Sequence, residues 1–211
     1  MGGRGGFLIS IEGIDASGKT TQARLLAEKL ASLGIDVLLS SEPTKGPIGT
    51  LIKELLRGEK RPSPVIEAVL FALDRFWHVE QVVRPALEEG KIVVLDRYYH
   101  SSLAYQGSAG LDMAWLRAIN SFAPRPDLAI YIDVRPEEAL KRIGRPRTVL
   151  ERVSVQVAVR QVYLSLVDAG ELVIVNGERS IEAVAEDITA LVLKVLRQHG
   201  FYVPRGNVRT A

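Results

Sequence analysis

Gly13-Ile14-Asp15-Ala16-Ser17-Gly18-Lys19-Thr20 follows the spacing GxxxxGK[ST], with an apolar run from Phe7 to Glu12 before it and a helix-like segment after it. This spacing suits a polyanion. Glycines let successive backbone N–H groups curl around phosphate oxygens, and the N-terminus of the following helix adds favourable potential. Lys19 is expected to reach the outer phosphates, and the Thr20 hydroxyl to bind a divalent cation. Gly13, Ile14, Asp15, Ala16, Ser17, Gly18 and Thr21 complete the predicted cradle. The bland alternative is a glycine-rich strand-to-helix turn with a solvated lysine, and the flanking strand and helix weigh against it. The pattern alone does not separate kinases from GTPases or motor ATPases. There is no Asn-Lys-x-Asp element to read guanine.

Val93-Val94-Leu95-Asp96-Arg97-Tyr98 ends a second apolar run with an acid and a base, where open α/β sheets bind ligands. Asp96 is expected to help hold the cation, through water. Arg97 offers a phosphate a planar fork that lysine lacks; the alternative is a strand-end ion pair between Asp96 and Arg97. Phe71, Arg75 and His78, spaced i, i+4 and i+7, share one face of a predicted helix. A flat apolar plate one turn from a donor fork suits a nucleobase. The alternatives are a core role for Phe71, pairing of Arg75 with Asp74 or Glu67, and simple packing for Tyr105. Lys141 to Arg147 is rich in arginine and contains Gly144 and Pro146. It reads as a lid over about residues 142–152 or, alternatively, as a solvated basic loop.

The elements that must position these residues follow from the hydrophobic pattern. Strand-like runs at Phe7 to Glu12, Asp36 to Ser40, Ile92 to Leu95, Leu128 to Asp133 and Leu172 to Val175 alternate with helical segments. The runs are nearly continuous in Val, Ile and Leu, as parallel strands covered on both faces require. The expected fold is α/β: a doubly wound parallel five-stranded sheet with helices on both faces, of P-loop NTPase type, with a short arginine-rich lid. Ser63-Pro64 predicts the start of a long helix that Gly90 stops, and Asp112 and Ser180 predict two further helix starts. One domain is expected over 1–211, with a flexible tail over about 200–211.

Composition narrows the classes further. With 27 basic and 25 acidic residues, the formal charge of +2 does not favour nucleic-acid binding, and the arginines near 142–152 favour a site over a basic surface. The absence of cysteine excludes disulfides, thiolate metal sites and cysteine nucleophiles; three scattered histidines form no ligand cluster. Any metal is therefore expected on oxygen ligands. No signal-peptide pattern or membrane-length apolar stretch is present, and a cytoplasmic location without membrane partners is the expectation.

Taken together, the segments EGIDASGKTTQ, SEPTKG, LFALDRFWH, VVLDRYYHSSLAYQG and EEALKRIGRPRTVLER resemble the thymidylate kinase family over most of residues 7–195, in the family's order. The resemblance implies transfer of the γ-phosphoryl of ATP to dTMP with Mg2+, in dTTP synthesis, by a homodimer. It implies that Phe71 stacks on thymine, Arg75 reads the base edge, Ser102 touches the base and Tyr105 crowds the sugar 2′ position. Glu42 and Gln106 also fall at substrate-binding positions, Arg97 at that of the dTMP phosphate, and Asp15 at the 3′-hydroxyl. Since Ala16 is not basic, Arg145 and Arg147 of the lid are the expected catalytic cations beside Lys19, Arg97 and Asp15. The chain departs from the common pattern at Ser41, where many members have arginine, and at Val153-Ser154, where an acidic residue is frequent. The attacking atom would be an oxygen of the dTMP phosphate, already largely dianionic at neutral pH, so no general base is needed. Two other readings stand: a deoxynucleoside kinase using Glu42 as base for a 5′-hydroxyl, and a nucleotide-binding module without catalysis.

Overall fold

The computed structural model of the chain describes residues 5–58, 61–143, 150 and 152–201. Five strands, β1 (Phe7–Glu12), β2 (Val37–Ser41), β3 (Ile92–Asp96), β4 (Leu128–Asp133) and β5 (Val173–Asn176), form one parallel sheet in the order β2-β3-β1-β4-β5. Every residue of β1 is buried. Successive side chains of its strands enter different clusters: Leu8, Val93 and Leu95 pack with Val79 and Val83, whereas Ile9, Ile11 and Val94 pack with Leu26 and Leu30. Both faces of the sheet are therefore covered, which is why its strands read as continuous apolar runs.

The connections are α1 (Lys19–Ser32), α2 (Pro47–Arg57), α3 (Pro64–His78), α4 (Arg84–Glu88), α5 (Tyr99–Ser108), α6 (Met113–Ile119), α7 (Pro136–Ile143), α8 (Val153–Asp168) and α9 (Ile181–Gln198). Ser63, Asp112 and Ser180 cap α3, α6 and α9 by accepting from the N–H groups of Ile66, Trp115 and Ala183. The long helix expected from Ser63 to Gly90 is interrupted by a π-helical turn, Val79–Val83, between α3 and α4. Pro85 has no N–H for the carbonyl one turn before it and its ring crowds that carbonyl, so widening the turn relieves the clash without ending the helix.

The chain passes from β1 to β2, returns to β3 beside β1, and then crosses to β4 on the other side of β1. This reversal brings the C-terminal ends of β1, β3 and β4 together beneath the P-loop. Of the expected lid, Arg142 lies in the last turn of α7 and Arg152 precedes α8; Arg145 and Arg147 lie outside the described residues. At the other end, Phe201 packs edge-on to Phe7 with ring centroids 5.6 Å apart, and residues 202–211 of the expected tail lie outside the described ones.

Candidate active site

Gly13 leaves β1 at φ 153°, and a Cβ there would fall 2.5 Å from Ser17 Oγ and 2.9 Å from the Ile132 carbonyl. Ala16 (φ 59°) and Gly18 (φ 98°) turn the chain again before α1 starts. No acidic residue occupies the first turn of α1, so no side chain of the helix itself offsets its N-terminal potential. Lys19, 5% exposed, donates from Nζ to the Ile14 carbonyl at 2.6 Å and is held inside the loop. Burial, and then the neighbouring Arg97, push its ammonium down to about 7. A bound polyphosphate would reverse that shift.

The Thr20 hydroxyl donates to Asp96 Oδ2, and Asp96 Oδ1 is buried without a partner among the described residues. A hydroxyl and a half-satisfied carboxylate at a phosphate loop fit Mg2+, which takes few protein ligands and completes its shell with water and phosphate oxygens. Among the described residues no cluster of three or more acidic, histidine or cysteine side chains offers an all-protein metal site.

Arg97 follows β3 at φ 71°, a left-handed conformation unusual for a residue with a Cβ. Its Nη2 pairs with Asp15 Oδ1 and lies 3.3 Å from the Tyr105 hydroxyl, and its Nη1 donates to the Gly13 carbonyl at 3.1 Å and Ser101 Oγ at 3.2 Å. The strand-end pairing of Asp96 with Arg97, weighed above, is not what forms: Asp96 takes Thr20, and Arg97 reaches back to the P-loop. Burial works to raise the Asp15 carboxyl, but Arg97 and then Lys19 outweigh it and hold the group below the usual carboxylate range. The electrostatic cost of a carboxylate in a phosphate loop is thus offset inside the protein.

Arg75 is 1% exposed and pairs with neither Asp74 nor Glu67. Its Nε and Nη2 engage Glu42 Oε2 at 2.8 and 2.7 Å, its Nη1 donates to Asn120 Oδ1, and Ser102 Oγ lies 3.2 Å from Nη1. Glu42 Oε1 meets His78 Nδ1 at 3.1 Å, and His78 Nε2 lies 2.7 Å from Ser40 Oγ. Both oxygens of Glu42 are therefore engaged, which disfavours its use as a base for a 5′-hydroxyl. Asp74 instead anchors the loop after β2, accepting at 2.7 Å from both N–H and Oγ1 of Thr44.

Two cavities meet at the P-loop. The first, of 210 Å³, is lined by Asp15, Glu42, Phe71, Arg75, Arg97, Ser102, Tyr105, Gln106 and Leu150. The second, of 620 Å³, is lined by Ala16 to Gln22, Arg142, Gly177, Arg179 and Ile181. Asp15 faces one and Ala16 the other, so a single loop forms the wall between them. Every residue expected at the acceptor is brought to the first cavity.

Several residues of the site carried no signal in the pattern. Gln156 accepts the Asp15 N–H and donates to Asp15 Oδ2, both at 3.0 Å. Arg142, which the expected lid did include, donates to the Gly177 carbonyl at 2.9 Å beside the larger cavity, a contact the pattern did not show. Glu12, fully buried, accepts from Tyr98 N–H at 2.8 Å and Ser101 Oγ at 2.7 Å, with the Tyr163 hydroxyl 3.2 Å away. Burial pushes its carboxyl up to about 7 against these donors.

The chain is similar in sequence to known proteins. The family model described as "Thymidylate kinase" matches residues 11–188. A "Probable thymidylate kinase" of Pyrococcus horikoshii is 49% identical over 196 residues, covering 89% of this chain and 96% of that protein. One of Thermococcus kodakarensis is 42% identical, covering 90% and 98%. A "Thymidylate kinase" of Xylella fastidiosa (strain M12) is 40% identical, covering 91% and 89%. The matched stretch runs from β1 into α9 and takes in both cavities, and on that likeness the chain belongs to the thymidylate kinase family.

Proposed function

We propose that the chain, acting as one kinase domain, transfers the γ-phosphoryl of ATP to the phosphate of dTMP, giving dTDP. The observation that carries this reading is the shared wall: a phosphate-binding loop with one cavity on each side brings two polyanions end to end. Phe71 and Arg75 suit a pyrimidine with a carbonyl on its edge, Tyr105 and Asp15 the deoxyribose, and Arg97 the acceptor phosphate. ATP lies over Lys19 and α1, with Arg142 and Ile181 at its far side. Thr20 and Asp96 would hold Mg2+, which would supply positive charge against the phosphates. The chain's own residues do the rest: Lys19 and Arg97 reduce repulsion between the two phosphates, and the P-loop aligns them. Arg145 and Arg147 are the proposed lid cations; replacing both by alanine should lower turnover more than dTMP affinity, and an unchanged turnover number would remove them from the mechanism.

A homodimer and a cytoplasmic location belong to the same proposal. Among the described residues no helix is long and apolar enough to cross a membrane. The decisive experiment offers a panel of nucleoside monophosphates, and thymidine, with ATP and Mg2+. dTMP should be the preferred acceptor. Preference for thymidine would restore the nucleoside-kinase reading, and no turnover with any acceptor would favour a binding module.

A further inference from the structure

We infer that Glu12, the last residue of β1, is the positioning residue that holds Arg97 in its acceptor-binding conformation. Arg97 has a problem that its own contacts with Asp15 and Tyr105 do not solve. It sits at φ 71°, and a residue with a Cβ persists there only where its surroundings over-determine it. Its N–H still continues the sheet ladder, donating to the Ile11 carbonyl at 3.0 Å. One residue later the ladder ends, and the Tyr98 N–H turns to Glu12 Oε1 at 2.8 Å. The carboxylate thus fixes the peptide that leaves Arg97.

The other oxygen fixes the guanidinium. Ser101 Oγ donates to Glu12 Oε2 at 2.7 Å, and the same oxygen accepts from Arg97 Nη1 at 3.2 Å. Arg97 can only donate, so by taking the Ser101 hydrogen the Glu12 carboxylate keeps an Oγ lone pair turned to Arg97 Nη1. Tyr163, 2.9 Å from Ser101 and 3.2 Å from Glu12, closes the group from α8. His100 Nδ1, 3.9 Å from Glu12, makes no hydrogen bond among the described residues, and burial pushes its imidazole down to about 3, so it contributes no positive charge. One side chain therefore governs both the backbone and the fork of Arg97 while remaining 0% exposed and out of reach of substrate. A carboxylate buried at this cost, where glutamine would fit the same space, is explained by the charge that organises Ser101 and Arg97.

The inference rests on the reading that Arg97 binds the acceptor phosphate, and its test is a cycle. Steady-state kinetics at pH 8 with dTMP and with ATP varied in turn would compare wild type, E12Q, R97K and the double variant. E12Q should lower kcat/KM for dTMP by about tenfold, the lower end of the range for a hydrogen bond to a charged group, with KM for ATP changed less than about twofold. In the R97K background the same change should cost less than about threefold, because the fork it orients is gone. Its melting temperature at pH 8 should not fall below that of wild type. Additive losses in the cycle, or equal weakening of both substrates, would overturn the role. Should E12Q not fold, S101A cuts the same link in the same cycle. Failure of the wild type to phosphorylate dTMP would instead sink the acceptor-site reading on which the role depends.

Discussion

At the scale of single residues, the site works by setting charges against burial. Lys19 is a cation deep in a loop, tethered to the Ile14 carbonyl and depressed to about 7 by burial and Arg97. Lys19→Ala should abolish phosphoryl transfer while the protein keeps its fold, since the side chain's favourable partner is a bound phosphate and not a packing neighbour. Near-normal turnover would remove Lys19 from the chemistry, and loss of the folded far-ultraviolet spectrum would make its role structural. Glu12 gives a second test, through proton linkage. Its carboxyl titrates near 7 in the folded protein against 4.5 unexposed to that burial, so between those values the folded state binds more protons than the unfolded. Its contribution to stability is complete below about pH 4.5 and is lost as pH rises through 7. The loss is on the order of 3 kcal/mol at 1.36 kcal/mol per unit. Melting curves of wild type and E12Q should therefore diverge from pH 5 to pH 8, with the variant gaining relative stability. Parallel curves would mean that Glu12 does not titrate in this window.

At the scale of elements, the loop between β2 and α2 depends on α3. Asp74 receives the N–H and hydroxyl of Thr44, and that loop carries Glu42 to Arg75. Asp74→Ala leaves buried donors unmatched, at about 1–3 kcal/mol each. It should lower the melting temperature by several degrees and raise KM for dTMP while leaving KM for ATP nearly unchanged. A variant with unaltered dTMP kinetics would show that Glu42 keeps its place without this anchor. How far such elements were legible in the sequence follows from the range of the signal. The strands were readable to within one residue because each is a nearly continuous apolar run, and the caps at Ser63, Asp112 and Ser180 because capping is local. The π turn was not, since Val79 to Val83 keeps helical periodicity and Pro85 alone gives no measure of how the helix responds. The cradle was legible because its residues are contiguous, and the acceptor residues became so through the family resemblance. Gln156, Asn120 and Glu12 were not: a polar residue on a helix or strand end reads as solvated until the fold brings its partner, such as Asp15 for Gln156, 141 positions away.

At the scale of the whole molecule, α3 has two unlike faces. Phe71 and Arg75 turn inward to the acceptor cavity and His78 is buried behind it against Glu42 and Ser40, whereas Val65, Ile66, Val69, Leu73, Phe76 and Trp77 point outward, each between 44 and 52% exposed. Six large apolar side chains at three- and four-residue spacing make a continuous stripe of a kind that isolated surface residues do not, and such stripes mark association surfaces. A helix bearing one stripe can pack on its own copy about a two-fold axis, because the same residues then meet from both sides. This supports the proposed homodimer and would tie it to substrate binding, since the helix proposed to form the interface also carries Arg75. Leu73→Glu, which sets two carboxylates into that interface, should shift the mass in solution from a dimer toward the 23.2 kDa monomer. With α3 no longer braced from outside, KM for dTMP should rise more than KM for ATP, whose cavity is built from α1 and the residues around Gly177. Light scattering coupled to gel filtration reads the first effect and steady-state kinetics the second. A wild-type protein that elutes as a monomer at micromolar concentration would refute the dimer, and a monomeric variant with wild-type dTMP kinetics would separate assembly from the acceptor site.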